Sequence, residues 1–332
     1  MLGLLAFDPV GAAAADPLPP RIEVPVYQTI THSHTRRYWV PLSIGNGPMV
    51  PAFLDTGSVG LMLLDNGGTL AKPLPLGPVL VYTYGSNKSA IELFARRSLM
   101  NITLGNSASL HTTPLGIVKS VKCLSETPHC EAETLKFEDY QIAGEGEKGQ
   151  GFRAILGVGL GPSVLANPLL AFGDRWIIVS PVAGSDSPGK LIINPTDAET
   201  EGFIRFHVTK SALRGRGAFR SGIPGCLVAR PAADRFCGDV LLDTGSPGMI
   251  VMTDNEKLFD RMSTALKYTL EVGEANDKLA WDFVIKPEQF ARPPKQFARY
   301  YTAAGIVFGE PAFAQYSVLY DFHGDTIGLK PR

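Results

Sequence analysis

The chain has 332 residues, of which 45% are hydrophobic and 19% are charged, and its formal net charge at pH 7 is −1. This composition is typical of a globular protein with a large core, and the length is sufficient for two domains. Because the charge is balanced and no basic run is present, the sequence argues against nucleic acid or an acidic membrane surface as a partner.

The chain begins with a short apolar run, MLGLLAF, followed by the small residues of GAAAADP. This pattern resembles the end of a secretory signal that is cleaved near Ala15, although a basic leader is missing. No other stretch approaches the roughly 20 apolar residues of a membrane span. We therefore expect residues 1–37 to be an N-terminal lead-in with a signal remnant, and we expect no membrane span.

Short apolar runs follow along the chain, among them RYWVPLSIG, RWIIVS, GKLIINP and YSVLYDF. They are rich in β-branched and aromatic residues and are separated by turn residues, including many of the 35 glycines and 26 prolines. This pattern favours many short strands over helices, so the sequence predicts an all-β protein.

The segment FLDTGSVGLML, residues 53–63, places one carboxylate, Asp55, among apolar residues. A carboxylate that is buried without partners is expensive, so Asp-Thr-Gly here is either an ordinary turn or a functional site. A second copy, LLDTGSPGMIV in residues 241–251, places Asp243 in the same context. Two chance copies are roughly a hundred times rarer than one, which favours function and two related halves.

The four cysteines form two local pairs, Cys123 with Cys130 and Cys226 with Cys237. Their even number and close spacing predict two disulfides, and hence an oxidising compartment, so that the protein is expected to be secreted or periplasmic. A zinc site is the weaker alternative, because neither spacing is that of a zinc motif and no histidine motif accompanies them.

Two further motifs resemble ligand-binding patterns but are interpreted as ordinary surface segments. The segment GEGEKG, residues 144–149, matches a dinucleotide-binding glycine pattern, but no apolar strand precedes it, so we expect a solvated loop. His32 and His34 form an H-x-H pair in a polar segment, which is more often surface than a metal site. The sequence therefore predicts neither a metal nor a cofactor.

The two Asp-Thr-Gly copies could form one catalytic site if the two halves of the chain bring them together. The carboxylates of Asp55 and Asp243 then face each other, cannot both ionise and share one proton. One carboxylate activates a water molecule and the other protonates a carbonyl oxygen, which is amide hydrolysis without a nucleophilic side chain. We expect the residues after each Asp to support this pair, the threonines by bonding across to the opposite loop and the glycines by allowing close approach: Thr56, Gly57, Thr244 and Gly245.

At this point the chain resembles the bilobal, pepsin-like aspartic proteases. YWVPLSIG resembles the strand that opens their first lobe, and VYTYGS, residues 81–86, resembles their flap hairpin. AILGVGL and GIVFGEPAF resemble the strands behind the two catalytic loops. The resemblance implies two related β-barrel-like lobes around a central cleft with a shared six-stranded base sheet. The first lobe is expected over residues 38–194, with Asp55 and the flap, and the second over 195–332, with Asp243.

The resemblance also implies roles for single residues. Tyr84 and Gly85 are expected to cap the substrate, and Ser58 and Ser246 to hydrogen-bond the two carboxylates. Met62 stands where the family usually has a tryptophan that bonds the flap tyrosine. The pair Cys226–Cys237 lies where the family commonly has a small disulfide loop.

The function implied is that of an aspartic endopeptidase. Its partners are then a peptide or protein substrate in the interlobe cleft and pepstatin-type inhibitors, and the protein is expected to be a monomer. The alternative is a pepsin-like module that has lost catalysis and holds a partner in its cleft. Turnover of peptides at acidic pH separates the two.

Overall fold

A computed structural model describes residues 19–332 except 46, 66–74, 86–89, 107–109, 126, 128, 162, 183, 216–217, 231–233, 254, 256, 258–266, 274–278 and 284–304. The side chains of residues 75, 210–221 and 283 are also outside this description. The signal cleavage expected near Ala15 and Ser86 of the flap segment fall on residues that are not described.

Strands dominate both halves of the chain, which confirms the prediction of an all-β protein. The strands of the first half are β1 (Ile22–Ile30), β2 (Arg36–Ile44), β3 (Val50–Asp55), β4 (Val59–Leu64), β5 (Pro75–Tyr84), β6 (Ile91–Leu104), β7 (His111–Cys123), β8 (Ala154–Val158), β9 (Arg175–Val179) and β10 (Gly189–Ile193). Those of the second half are β11 (Ile204–His207), β12 (Thr209–Gly215), β13 (Ala218–Arg230), β14 (Arg235–Leu242), β15 (Met249–Met252), β16 (Lys267–Val272), β17 (Leu279–Phe283), β18 (Gly305–Phe308), β19 (Tyr316–Asp321) and β20 (Thr326–Pro331).

Helical segments are short. They are α1 (Glu131–Thr134), α2 (Asp197–Thr200), α3 (Glu310–Gln315) and a 3₁₀ turn (Pro168–Ala171). Within the described ranges, no helix is long and apolar enough to cross a membrane.

A base sheet joins the two halves. The larger sheet has the order β11-β20-β19-β9-β10-β1-β2-β3-β8-β4-β7-β6-β5. Its first six strands are antiparallel neighbours, of which β1, β9 and β10 come from the first half and β11, β19 and β20 from the second. The shared six-stranded sheet implied by the resemblance is therefore present.

The described part of the N-terminal lead-in belongs to this sheet. Strand β1 pairs with β10 on one side and with β2 on the other. Val24 and Val26 are completely buried, and they alternate with solvent-facing side chains as a strand with one buried face requires. The expected boundary at residue 37 lies inside β2, and the lobe boundaries themselves stay a prediction.

The two halves repeat one arrangement of three strands. In the first half, β3 runs parallel to β8, and β4 runs antiparallel on the other side of β8. In the second half, β14 runs parallel to β18, and β15 runs antiparallel on its other side. Because each Asp-Thr-Gly segment follows the first strand of its set, the repeat places the two segments at equivalent strand ends.

Two groups of buried side chains position these strand ends. The largest cluster extends from Ile22 to Leu329 and contains residues of both halves. A second cluster, which we call the flap cluster, lies under β5 and contains Phe53, Met62, Leu64, Tyr82, Ile91, Leu93, Ala95, Val118, Cys130, Tyr140, Ile142, Phe152, Ile155 and Leu165. Strand β5, which ends in the segment expected to form the flap and is called the flap strand below, therefore packs directly on the strands that flank the first Asp-Thr-Gly segment.

Candidate active site

The two Asp-Thr-Gly loops are locked together by their threonines. The Thr244 hydroxyl accepts from the Thr56 N–H at 3.0 Å, and the Thr56 hydroxyl accepts from the Thr244 N–H at 3.0 Å. Each hydroxyl also donates across the interface, Thr56 to the carbonyl of Leu242 at 2.8 Å and Thr244 to that of Leu54 at 2.7 Å. Both side chains are buried, so the four bonds fix the relative position of the loops.

The glycines bring the two carboxylates around one small space. A Cβ on Gly57 would lie 2.5 Å and 2.6 Å from the carboxylate oxygens of Asp243. A Cβ on Gly245 would lie 2.8 Å from Oδ1 of Asp55 and 2.9 Å from Oδ1 of Asp243. Since both oxygens approach this single point, any larger residue at either glycine would displace a carboxylate.

The Asp55 carboxylate is buried, with 2% of the residue exposed, and it is hydrogen-bonded by its own loop. Oδ1 accepts from the Gly57 N–H at 2.8 Å, and Oδ2 accepts from the Ser58 hydroxyl at 2.5 Å. These donors compensate for the loss of water around a buried carboxylate. The Gly245 N–H donates to Oδ1 of Asp243 at 2.7 Å in the same way.

Ser246 differs from its counterpart Ser58. Its hydroxyl was expected to bond the Asp243 carboxylate, but it donates to the carbonyl of Gly248 at 3.4 Å. The residue that follows it is Pro247, where the first loop has Val59, and proline restricts the backbone of the turn. The two loops therefore share the threonine and glycine contacts but not the serine contact.

Tyr84 lies at the end of the flap strand and close to the carboxylates. It pairs with Ile91 of β6, and Gly85, which follows it, has a positive φ of 79°. Burial raises the pKa of the Tyr84 hydroxyl well above its usual range, and the charges of Asp55 and Asp243 raise it further. The phenol therefore stays neutral within the electrostatic field of the two carboxylates.

A second flap tyrosine, Tyr82, touches the first loop and was missed in the sequence. Its hydroxyl lies 3.4 Å from the N–H and 3.5 Å from the carbonyl oxygen of Val59. Met62, in the position of the family's tryptophan, is buried in the flap cluster together with Tyr82. The sequence spacing could have indicated this role, because Tyr82 lies two residues before Tyr84 and therefore on the same face of the strand.

Arg37 was also missed, since it belongs to no motif. Its Nη1 donates to the carbonyl of Gly245 at 2.7 Å, and its Cζ lies 5.7 Å from the ring centre of Phe53. This arginine of the first half thus contacts the loop that carries Asp243 in the second half.

The segment GEGEKG is the loop expected from the sequence, with residues 147–149 exposed, and it also contacts the turn before β2. Glu145 accepts from the hydroxyls of Thr31 at 2.9 Å and Ser33 at 2.6 Å, and Glu147 pairs with His32. The turn is thereby fixed at the start of the strand that carries Arg37. Among the described residues, no group of three or more His, Cys, Asp and Glu side chains is arranged to hold a metal ion.

Both expected cysteine pairs are disulfides in the structure. Cys123 and Cys130 have their Cα atoms 5.4 Å apart, and Cys226 and Cys237 have theirs 4.0 Å apart. The second bridge joins directly opposite residues of β13 and β14, the hairpin that leads to Asp243. Disulfides of this kind are typical of proteins in oxidising compartments.

Comparison with known proteins gives the fold. The chain matches no family model and no curated protein sequence. Its structure is similar to the crystal structure of an aspartic proteinase from Irpex lacteus, with a TM-score of 0.56 and 12% sequence identity, over 94% of this chain and 97% of that chain. At this identity the likeness shows the fold alone, and it confirms the bilobal, pepsin-like architecture expected from the sequence.

Proposed function

We propose that this protein is an aspartic endopeptidase in which Asp55 and Asp243 act as a pair. The observation that carries the proposal is the convergence of both carboxylates on one point between loops that are locked by Thr56 and Thr244. Like charges at such short range cannot both ionise, so the pair holds one proton. A shared proton supplies a base and an acid in one site.

The reaction follows from this arrangement. The ionised carboxylate removes a proton from a water molecule between the two acids as the water oxygen attacks the carbonyl carbon of the peptide bond, and the protonated carboxyl donates to the carbonyl oxygen. The carbon–nitrogen bond then breaks as the nitrogen takes the proton held by the first carboxyl, and a hydroxyl proton of the intermediate returns to the second carboxylate, so that the pair again holds one proton. The Gly57 N–H and the Ser58 hydroxyl orient the Asp55 carboxylate, and the threonine lock fixes the two loops relative to each other. The neutral phenol of Tyr84 and Gly85 cap the substrate from the flap.

The partners follow from the same proposal. An extended peptide or a protein segment lies in the cleft between the lobes, where a pepstatin-type inhibitor would compete with it. One chain supplies both acids, so we propose that the protein acts as a monomer, without a metal or cofactor. The two disulfides support action in a secreted or periplasmic setting.

A pepsin-like module without catalysis is the second candidate. It would use the same cleft to hold a peptide without cleaving it. The reciprocal lock and the close approach of the two acids oppose this candidate, because holding two carboxylates together is unfavourable unless they share a proton.

The deciding experiment is a digest of a peptide library by the purified full chain between about pH 3 and pH 8, analysed by mass spectrometry. We expect internal cleavage that pepstatin suppresses, with a bell-shaped, acidic rate profile, because the pair works only while it holds one proton. Binding of pepstatin without any cleavage would support the silent module. A maximum at or above neutral pH, with the fold intact by circular dichroism, would contradict proton sharing.

A further inference from the structure

Arg37 of β2 is a partly buried residue beside the loop that carries Asp243. Its guanidinium donates to the carbonyl of Gly245, two residues beyond Asp243, and rests over the ring of the buried Phe53. The positive charge of Arg37 also lowers the pKa of the Tyr84 hydroxyl, against the larger effects of burial and of the two Asp charges. A fixed cation therefore borders the space in which the proposed reaction takes place.

The guanidinium has donors to spare. Among the described residues, the carbonyl of Gly245 is the acceptor that Arg37 contacts, and its Nε is buried without a partner. No described carboxylate forms an ion pair with Arg37, whereas the neighbouring Arg36 is paired with Glu310. An arginine carries five N–H donors in a fork that fits a carboxylate. Arg37 is therefore able to donate hydrogen bonds to a carboxylate of a ligand.

The carboxylates near Arg37 are engaged elsewhere or become neutral in acid. Glu145 is bonded by Thr31 and Ser33, and Glu310 is bonded by Arg36. Burial raises the pKa of the Glu131 carboxyl, the charge of Glu145 raises it further, and the positive charge of Arg37 lowers it by less. At the acidic pH at which the proposed pair works, Glu131 is therefore progressively protonated and competes little for the guanidinium.

We propose that Arg37 is a specificity residue that binds the carboxylate of an acidic side chain, Asp or Glu, in the peptide next to the bond that is cleaved. This inference rests on the proposed function. The ring of Phe53 and the carbonyl of Gly245 hold the guanidinium in place, so little entropy is lost when the carboxylate binds. A peptide that carries a basic side chain at this position meets the same cation and is disfavoured.

The test uses peptides that differ only by Glu, Gln or Lys at one position, scanned over about four residues on either side of the cleaved bond. At one position we expect kcat/KM to be roughly tenfold higher for Glu than for Gln, and lower still for Lys. Arg37→Gln should remove this difference, and Arg37→Glu should invert the order of Glu and Lys. Arg37→Lys should keep part of it, because lysine keeps the charge but loses the fork. Arg205→Gln, which removes the same charge at the far edge of the base sheet, should leave it unchanged.

A uniform loss of activity for all three peptides in Arg37→Gln would assign the residue to positioning of the Gly245 loop and would overturn the proposal. A second measurement separates this inference from the proposed function: the Kd of uncleavable statine peptides that carry Glu or Gln. If the Glu peptide binds roughly tenfold tighter only when Arg37 is present, the inference holds even for a protein that cleaves nothing. If the two Kd values are equal in a protein that does cleave peptides, the specificity role of Arg37 is refuted and the proposed function stands. If neither peptide binds, both the role of Arg37 and the proposed function are refuted.

Discussion

The two Asp-Thr-Gly loops have the same local sequence and are held by different parts of the molecule. Both have a threonine that bonds across and a glycine N–H that donates to the preceding Asp. The first loop is then completed within its own half, by Ser58 on Asp55 and by Tyr82 and Ser163 on Val59.

The second loop receives contacts from the opposite half. Arg37 of β2 donates to the carbonyl of Gly245, and Arg36 pairs with Glu310, whose N–H donates to the carbonyl of Ser246. The difference shows that the tripeptide determines the threonine and glycine N–H contacts that the two loops share. The other contacts, including the one from Arg37 to the carbonyl of Gly245, depend on what the rest of the fold packs against each loop. The following predictions test this comparison.

The largest effect is expected when either carboxylate is removed. Asp55→Asn and Asp243→Asn should each lower kcat by on the order of a thousandfold or more, because the acid and the base act as a unit. The rates are measured with one peptide at the pH of highest activity, and circular dichroism verifies the fold. If one variant kept activity near that of the wild type, the loops would not be equivalent and the pair would be wrongly assigned.

Thr56 and Thr244 should contribute equally to the free energy of unfolding. Thr56→Val and Thr244→Val each remove one donor and one acceptor and leave a buried N–H and a buried carbonyl without their partners. Each should lower the free energy of unfolding by roughly 2–3 kcal/mol, measured by urea denaturation. Thr56→Ser and Thr244→Ser keep the hydroxyl and serve as controls with smaller losses. A loss confined to one position would show that the lock is not reciprocal.

Substitution of the two equivalent serines, Ser58 and Ser246, should affect activity to different extents. Ser58→Ala removes a hydrogen bond to a carboxylate and should lower kcat/KM roughly tenfold, since bonds to charged groups are worth about 1.5–3 kcal/mol. Ser246→Ala removes a long bond to a backbone carbonyl and should change kcat/KM by less than about twofold. Equal losses would mean that Ser246 turns to Asp243 when substrate is bound.

The smallest effect is expected for the ion pair between Arg21 and Glu199 and its contribution to the free energy of unfolding at acidic pH. Arg21 of the first half binds Glu199 of α2, and this bond lowers the pKa of Glu199 from 4.5 to about 2. The stabilisation is therefore complete above about pH 4.5 and is lost as the pH falls toward 2. Because the two side chains are 35% and 28% exposed, Glu199→Gln should cost only about 1 kcal/mol at pH 6.

Urea denaturation between about pH 2 and pH 7 tests this last expectation. The difference between the wild type and Glu199→Gln should shrink as the solution becomes more acidic. Glu201→Gln, an exposed neighbour two residues along, is the control and should have little effect at any pH. A constant difference across this range would show that the ion pair is not the cause.

Several features were predictable because they depend on local pattern. Short apolar runs that are rich in β-branched and aromatic residues and bounded by turn residues predict strands. The repeat of Asp-Thr-Gly points to a pair because one buried acid without a partner is unfavourable. The threonine and glycine contacts follow from the same repeat. The two disulfides follow from cysteines that are close in sequence.

Other features were decided only by the tertiary structure. The acceptor of Ser246 depends on the backbone after Pro247, and a hydroxyl turns to whichever acceptor that backbone presents. The position of Arg37 depends on β2 meeting a loop of the opposite half. The contacts of Glu145 with Thr31 and Ser33 depend on the loop of residues 144–149 packing beside the turn before β2. These contacts join residues that are distant in the chain, so their partners follow from the packing of the two halves and not from local sequence pattern.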